Sequence, residues 1–355
     1  MARLLRGSGE EVAGLLDKAA AAFEEARLAD VIALARKALH KAPEHPEALH
    51  FLAAAQLESG DLQAAERTYR RALMAAPDDP DILLGAADLF LSHPGEDLCL
   101  VEEGLALCER GRKLAAKEGD GELELELLLL LGVGHNQLGE CEKALEHLDA
   151  ALALQPDSVE AHLERGITLF ELCCFDASRE ALLRVADQAP EEAWAHHYLG
   201  LLAERSGEAR EAKKRFLRAQ ELSPQEFVPP VRLSDEEFDR ALEDAVARLP
   251  QHVKKYLENT TLAVEPFPSR EDLTSQKPPL SPSILGIFRG TPVGERSVSS
   301  AYDHFPAAIV LYQRNLERFA RSRDELIEQI GITVMHEVGH LIGLDEEDLW
   351  ERGLD

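Results

Sequence analysis

PEALHFLAAAQLESGDLQAAERTYRRALMAAPDD, residues 46–79, fills 34 positions that end just past a proline and then begin again. Small Ala53 sits within its first apolar stretch, Gly60 breaks that stretch, Ala65 opens the second, and Tyr69, Ala72 and Pro77 complete it. The same residue types return at the same spacing as Gly132, Gly139, Ala144, Leu148, Ala151 and Pro156, and again as Gly200, Gly207, Ala212, Phe216, Ala219 and Pro224. Pro43, Pro77, Pro156, Pro190 and Pro224 are separated by 34, 79, 34 and 34 residues. Each copy reads as a helical hairpin. Small residues let its helices approach, and the glycine leaves the first helix where a left-handed residue is needed. The large residue at the Tyr69 and Phe216 slot fills the gap to the neighbouring repeat. Proline ends the second helix, because it has no N–H to donate and clashes with the preceding turn.

A fixed 34-residue period marks a stacked helical array. The pattern resembles the tetratricopeptide repeat (TPR) family over residues 12–225, in about six repeats. The resemblance implies an all-α TPR superhelix whose concave face holds a peptide or partner protein. One degenerate copy at 80–124 is about 11 residues too long for the period, and His93, Pro94 and Gly95 mark a loop between its helices. Asn136, Gln137 and Arg165 lie on first helices, where a concave face would be. His196 and His197 are adjacent, cannot face one metal from a helix, and read as part of the repeat.

The chain has 355 residues, enough for about two domains, and 45% of them are hydrophobic, so it can bury a core. Against 38 Lys and Arg stand 66 Asp and Glu, a net charge of −28. Such a charge repels phosphate backbones and anionic lipid heads, and no basic stripe offsets it, so neither nucleic acid nor membrane is an expected partner. The five cysteines are odd in number and form no CxxC pair, which implies buried structural thiols in a reducing compartment. The opening residues MARLLRGSGEE lack the apolar core of an export signal. The longest strongly apolar run, 127–134, is too short to span a bilayer. The expected location is cytoplasmic.

After Pro224 the period stops. Ser234 to Glu237 reads as a capping box opening a helix over 235–249, with a short helix over 251–259. Strands are expected at 261–264, 284–288 and 307–312, and the proline-rich stretch 266–282 reads as an irregular loop, either a disordered connection or a lid. The strand at 307–312 is either a core strand or an edge that pairs with substrate backbone. A long helix at 324–342, stopped by Gly343, and a short acidic helix complete a small α+β domain over 232–355. That long helix contains HEVGHLIGLDE, residues 336–346. Two histidines at i and i+4 sit about 40° apart on a helix face, so His336 and His340 can share one zinc at about 2.0–2.1 Å. Glu337 stands beside the first ligand and can act as general base on the zinc-activated water. The opposite face, with Ile327, Ile330, Val334, Val338 and Leu341, packs inward. Catalytic zinc needs a third ligand, and Glu346 lies where the metzincin spacing puts its third histidine. Asp345, Glu347 and Asp348 are close enough to compete. His304 and Tyr312 are candidates to stabilise an oxyanion.

The stretch from Ser234 onward resembles the bacterial minimal zincin-like metallopeptidase family. The resemblance rests on Glu237-Phe238, Ala241-Leu242, Leu249-Pro250, Leu262-Ala263-Val264, Gly286-Ile287-Phe288, Gly290, Ile309-Val310-Leu311-Tyr312 and the terminal HEVGHLIGLDEEDL. It implies a zinc site of two histidines and an acidic residue just past the glycine, here His336, His340 and Glu346, with Glu337 as base. The function it implies is peptide-bond hydrolysis, with the TPR array recruiting a protein substrate or a regulator. The other reading is a non-catalytic TPR scaffold whose zincin domain is degenerate.

Overall fold

The computed structural model describes residues 2–95, 97–258, 260–292, 307–345 and 348–349. The chain divides into two compact units, Met1–Thr168 and Leu169–Asp355. Twelve helices form the repeats in consecutive hairpins: α1 (Ala2–Glu24) and α2 (Leu28–Lys41), α3 (Pro46–Glu58) and α4 (Leu62–Ala75), α5 (Pro80–Ser92) and α6 (Leu98–Glu118). They continue with α7 (Gly121–Gln137) and α8 (Cys141–Leu154), α9 (Val159–Glu171) and α10 (Phe175–Gln188), and α11 (Ala193–Arg205) and α12 (Ala209–Leu222).

The turn slot behaves as its chemistry requires. Gly60, Gly139 and Gly207 adopt φ of +77°, +70° and +76°, and Ala26 and Cys173 hold the equivalent slot at +53° and +58° despite their Cβ. The large-residue slot follows the expectation at one position and departs from it at two. Leu148 and Phe216 press on the glycine of their own hairpin, where a Cβ on Gly132 or Gly200 would come within 2.6 and 2.7 Å of them. Tyr69 reaches the next repeat, at Gly85. The surplus of the third copy is helix rather than loop. α6 has 21 residues against 14 in α4 and α8, and α7 has 17 against 13 in α3 and α5. Asn136 donates to Thr168 Oγ1, Gln137 donates to the Leu91 carbonyl, and Arg165 pairs with Asp149, so all three make contacts within the repeats. The cysteines form no disulfide but are not uniformly buried. Cys108 and Cys173 are buried, while Cys99 and Cys174 are exposed because they stand at helix starts rather than on packed faces.

The second unit continues with α13 (Asp235–Arg248), α14 (Gln251–Leu257), β1 (Thr261–Glu265), α15 (Arg270–Leu273), β2 (Gly286–Arg289), β3 (Ala308–Tyr312), α16 (Gln313–Phe319) and α17 (Arg323–Leu341). The expected capping box forms at Ser234 and Glu237. The sheet order is β1-β3-β2, with β1 parallel and β2 antiparallel to β3. β3 is therefore the central strand, and its reading as a substrate-pairing edge is corrected. A run of four buried apolar side chains such as Ile309 to Tyr312 belongs in the middle of a sheet, where both faces are covered. Side chains alternate across a strand. Leu262, Val264, Ile309 and Leu311 join a core with α13 and α17, through Phe238, Ala241, Ile327, Ile330 and Val334.

Tyr312 points to the other face, and the stretch expected as an irregular loop lies there. It contains α15, opened by a capping box of Ser269 and Asp272, with Leu273 fully buried. Arg289 binds both carboxylate oxygens of Asp272, at 2.8 and 2.6 Å, and also Glu265, while the Tyr312 hydroxyl donates to Asp272 at 3.2 Å. Tyr312 is thus structural rather than an oxyanion donor, and 266–282 is fastened away from the α17 face rather than placed as a lid. His304 lies outside the described residues. So does most of the expected closing helix, of which residues 348 and 349 are helical.

α16 had no counterpart in the sequence reading. Its Glu317 is fully buried and accepts from Gln313, Arg314, Arg232 and the Leu233 backbone N–H, which ties the segment after Pro230 to the domain. Farther along, Arg318 pairs with Glu204 of α11 and lies over the Phe216 and Phe267 rings, at 5.3 and 5.8 Å. Arg205 covers Phe267 from another side and donates to the Pro268 carbonyl at 2.9 Å. The last repeat helices and the small domain are built as one unit.

Candidate metal centre

α17 is positioned before its chemistry matters. Ser322 caps its start by accepting from the Glu325 N–H, and Asp324 and Glu325 suit the positive end of the helix dipole. Leu326, Ile327, Ile330, Val334, Val338 and Leu341 are all buried, which fixes the rotation of the helix on the sheet. His336 and His340 then emerge half-buried on another face.

Their Nε2 atoms lie 3.1 Å apart, and the rings meet edge to face with centroids 4.8 Å apart. Two nitrogens held at about 2.0–2.1 Å from one tetrahedral zinc stand about 3.3 Å apart, so the pair is already spaced for that ion. Nδ1 of His340 lies 3.1 Å from the Leu344 carbonyl. A carbonyl only accepts, so Nδ1 carries the proton and Nε2 presents its lone pair to the shared point. Backbone support of this kind orients metal-binding imidazoles. Two imidazole nitrogens at this distance can share a proton or a cation, and as two neighbouring nitrogen donors they suit zinc, which needs further ligands beside them.

Glu337 is buried, 5% exposed, next to His336. β2 crosses beside it: a Cβ on Gly286 would sit 3.4 Å from Glu337 Cγ and 2.7 Å from Thr333 Cγ2. Glycine at 286 lets the strand approach the carboxylate side of the helix. Past His340 the chain turns at Gly343, with φ of +89°, and the Leu344 N–H returns to the Gly339 carbonyl at 3.0 Å. Asp345 and Asp348 then cap each other, through Asp348 N–H to Asp345 Oδ1 at 2.9 Å and Asp345 N–H to Asp348 Oδ2 at 3.5 Å. Glu346 and Glu347 lie outside the described residues. Among the described residues no third His, Cys, Asp or Glu completes a metal-holding group.

Two residues of the quoted motif that the sequence reading gave no role pack on each other here. Gly339 is a glycine inside a helix, where it would cost about 1 kcal/mol without a packing reason, and that cost is the signal that could have marked it. Leu349 is fully buried on it.

Comparison with known proteins agrees with both parts. Residues 13–89 match a tetratricopeptide repeat model and 135–172 a TPR repeat model, and 257–354 match the model of the zincin-like metallopeptidases. Among solved structures, pilF of Pseudomonas aeruginosa is similar with a TM-score of 0.51 and 18% identity, covering 66% of this chain and 99% of that one. A chain of the APC/C hetero-tetramer Cut9–Hcn1 is similar with a TM-score of 0.51 and 16% identity, covering 61% of this chain and 41% of that one. At these identities the likeness shows the repeat fold alone. No curated protein matches the chain.

Proposed function

We propose that the chain is a zinc-dependent peptidase, with a TPR array over 12–225 that recruits a protein substrate or regulator to a zincin-like domain over 232–355. The observation that carries this reading is the convergence of His336 Nε2 and His340 Nε2 at 3.1 Å, with Glu337 beside them, inside residues that match zincin-like metallopeptidases. His336, His340 and Glu346 would hold the ion. The mutual capping of Asp345 and Asp348 favours Glu346 over those two neighbours.

Bound zinc supplies the positive charge that polarises a scissile carbonyl and eases deprotonation of a water. Glu337 takes the proton from the attacking water and then delivers it to the departing amide nitrogen, so one carboxylate serves as base and then as acid. Its burial keeps bulk water from competing for that proton. β2 has a strand partner on one side among the described residues. An extended peptide adding to its outer edge would pass Glu337, with backbone hydrogen bonds setting the register. The TPR repeats are protein-interaction modules, and no helix among the described residues is long and apolar enough to cross a membrane. We place this activity in the cytoplasm, on protein or peptide substrates.

The test is metal content followed by one substitution. Full-length protein purified without added metal or chelator should carry close to one zinc per chain, and His340→Ala should lose it. Glu337→Gln should keep the zinc and lower hydrolysis of a peptide library by at least the ~10²–10⁴-fold contribution of a general base. Zinc-free protein that cannot be loaded at neutral pH would leave a TPR interaction scaffold. A Glu337→Gln variant as active as wild type would remove the carboxylate from the mechanism.

A further inference from the structure

α12 runs against the charge of the chain. In a protein of net charge −28, this helix carries Arg210, Lys213, Lys214, Arg215 and Arg218 against Glu211 and Glu221. It supplies a local basic stripe that the sequence reading did not find. At about 100° per residue, Arg210, Lys213, Lys214, Leu217 and Arg218 fall within about 140° of one another. All five are exposed, on the side opposite the buried Ala212 and Ala219. Arg215 lies off the stripe and is already paired, donating to Glu211 and to His196. Arg218 meets Glu221 at 3.5 Å. Among the described residues no hydrogen bond or ion pair holds Arg210, Lys213 or Lys214. Two concavities flank the stripe, and Lys213 and Leu217 line both. One is an open groove lined by all five basic residues, with Glu221 as its sole carboxylate. The other, of about 530 Å³, is walled by His197, Phe216, Leu217, Phe227, Val228 and Pro229. Its charged groups are satisfied: Glu204 pairs with Arg232 and Arg318, and Ser223 donates to Glu226. Leu217 and Val228 are nevertheless 47% and 48% exposed. The groove thus has cations without partners, and the pocket has apolar surface without cover.

We propose that α12 docks an acidic peptide segment of a partner protein, with a bulky apolar side chain in the pocket and flanking carboxylates on Arg210, Lys213 and Lys214. The inference gives a place and a chemistry to the recruitment proposed above and rests on that reading, though not on zinc. The stripe belongs to a second helix, not to the first helices where a concave face would be. Charge complementarity selects the occupant. A short acidic segment need match only the stripe, and opposite charge steers it there. A phosphate polymer would run on past the stripe onto a surface that repels it. The pocket lies within the range of about 300–1,000 Å³ that holds ligands, room enough for an anchoring side chain beside its own backbone.

Fluorescence anisotropy of short labelled peptides with the full-length protein tests this. One peptide sets Glu and Asp around a Phe-Leu pair, a second keeps the carboxylates without the pair, and a third sets Lys around the pair. The first should bind and should weaken as salt is raised. Lys213→Glu combined with Lys214→Glu should weaken it about 10-fold; both side chains are exposed, so the fold is not at stake. The second peptide should bind about 10-fold more weakly than the first, the loss of one buried apolar side chain. Failure of wild type to bind the first peptide overturns the proposal, as does a double variant that binds it equally well. Equal binding of the second peptide removes the pocket from it, and equal binding of the third removes the charge. A duplex DNA that binds more tightly than the first peptide and is lost in the double variant gives the stripe to phosphate. A dimer that the double variant dissociates, with no peptide bound, gives it to a second copy; either result overturns the proposal. A library peptide held equally by wild type and double variant sinks the α12 site alone. Recruitment itself fails if the full-length chain binds no peptide of the library.

Discussion

A glycine in a helix is a weak signal alone, and its meaning here depends on what stands opposite. Gly200 of α11 faces Phe216, and a Cβ would come within 2.7 Å of that ring; Gly14 of α1 has nothing within 4 Å. The same substitution should act with opposite sign at the two sites. Gly14→Ala should stabilise by about 0.5–1 kcal/mol, the helix-propensity gain. Gly200→Ala should net a loss of about 1–2 kcal/mol, because overpacking of about 1–3 kcal/mol outweighs that gain. Denaturant titration of both variants checks this, and two stabilised proteins would refute the close packing of α11 on α12. The repeat slots were legible for this reason: their small and large types recur at fixed spacing. His336, Glu337 and His340 were equally legible, since one turn of helix sets their geometry. Gly339 was not, because its partner lies ten residues on, beyond a turn.

Elements were legible where a local pattern decides them. The capping box at Ser234, the apolar run of β3 and the amphipathic face of α17 all carry their own period. What was left open or missed was whatever needs a partner from elsewhere. The centrality of β3 depends on β1 and β2 pairing with it, and α15 and α16 are short helices held by tertiary contacts rather than propensity. α15 is a case that can be tested. Burial alone would push the Asp272 carboxyl up, but the bonds from Arg289 and Ser269 outweigh it and hold the group below the usual carboxylate range. A carboxylate depressed in the folded state stabilises above its unfolded pKa of about 3.9, and that stability fades as pH falls through the lower folded value. Asp272→Asn should therefore cost about 1–3 kcal/mol at neutral pH, since Arg289 keeps a part-buried charge with one acceptor fewer. It should also unfold with a shallower pH dependence below about pH 4. Equal acid sensitivity in variant and wild type would show that Asp272 does not fasten α15 to the sheet.

At the scale of the molecule, the period legible in the sequence runs through residue 224, yet compactness divides the chain at Thr168. The reason is chemical. α11 carries Glu204 and Arg205, charged residues that look like surface until Arg318, Arg232 and Phe267 arrive from the small domain to pair and stack with them. No reading of the repeats alone contains those partners. His197, on the same helix, makes the arrangement testable through pH. Its ring stacks on Phe227 with centroids 4.8 Å apart and meets Phe216 edge-on at 5.7 Å. Burial, aided by the Arg318 charge, pushes its pKa down to about 4. An unfolded histidine titrates near 6.5. Between those values the unfolded chain binds a proton that the folded chain refuses, so stability is complete above about pH 6.5 and declines as pH falls towards 4. At 1.36 kcal/mol per pKa unit the loss reaches about 3 kcal/mol at most. Trp194 packs against Phe227 at 4.9 Å and reports the opening of this region by fluorescence. Denaturation followed through that signal should show the midpoint falling between pH 7 and pH 4 in wild type. His197→Phe, which keeps a ring in the stack, should flatten the decline. A variant that loses stability as steeply as wild type would mean that His197 is hydrated, and that the last repeat does not close against the small domain.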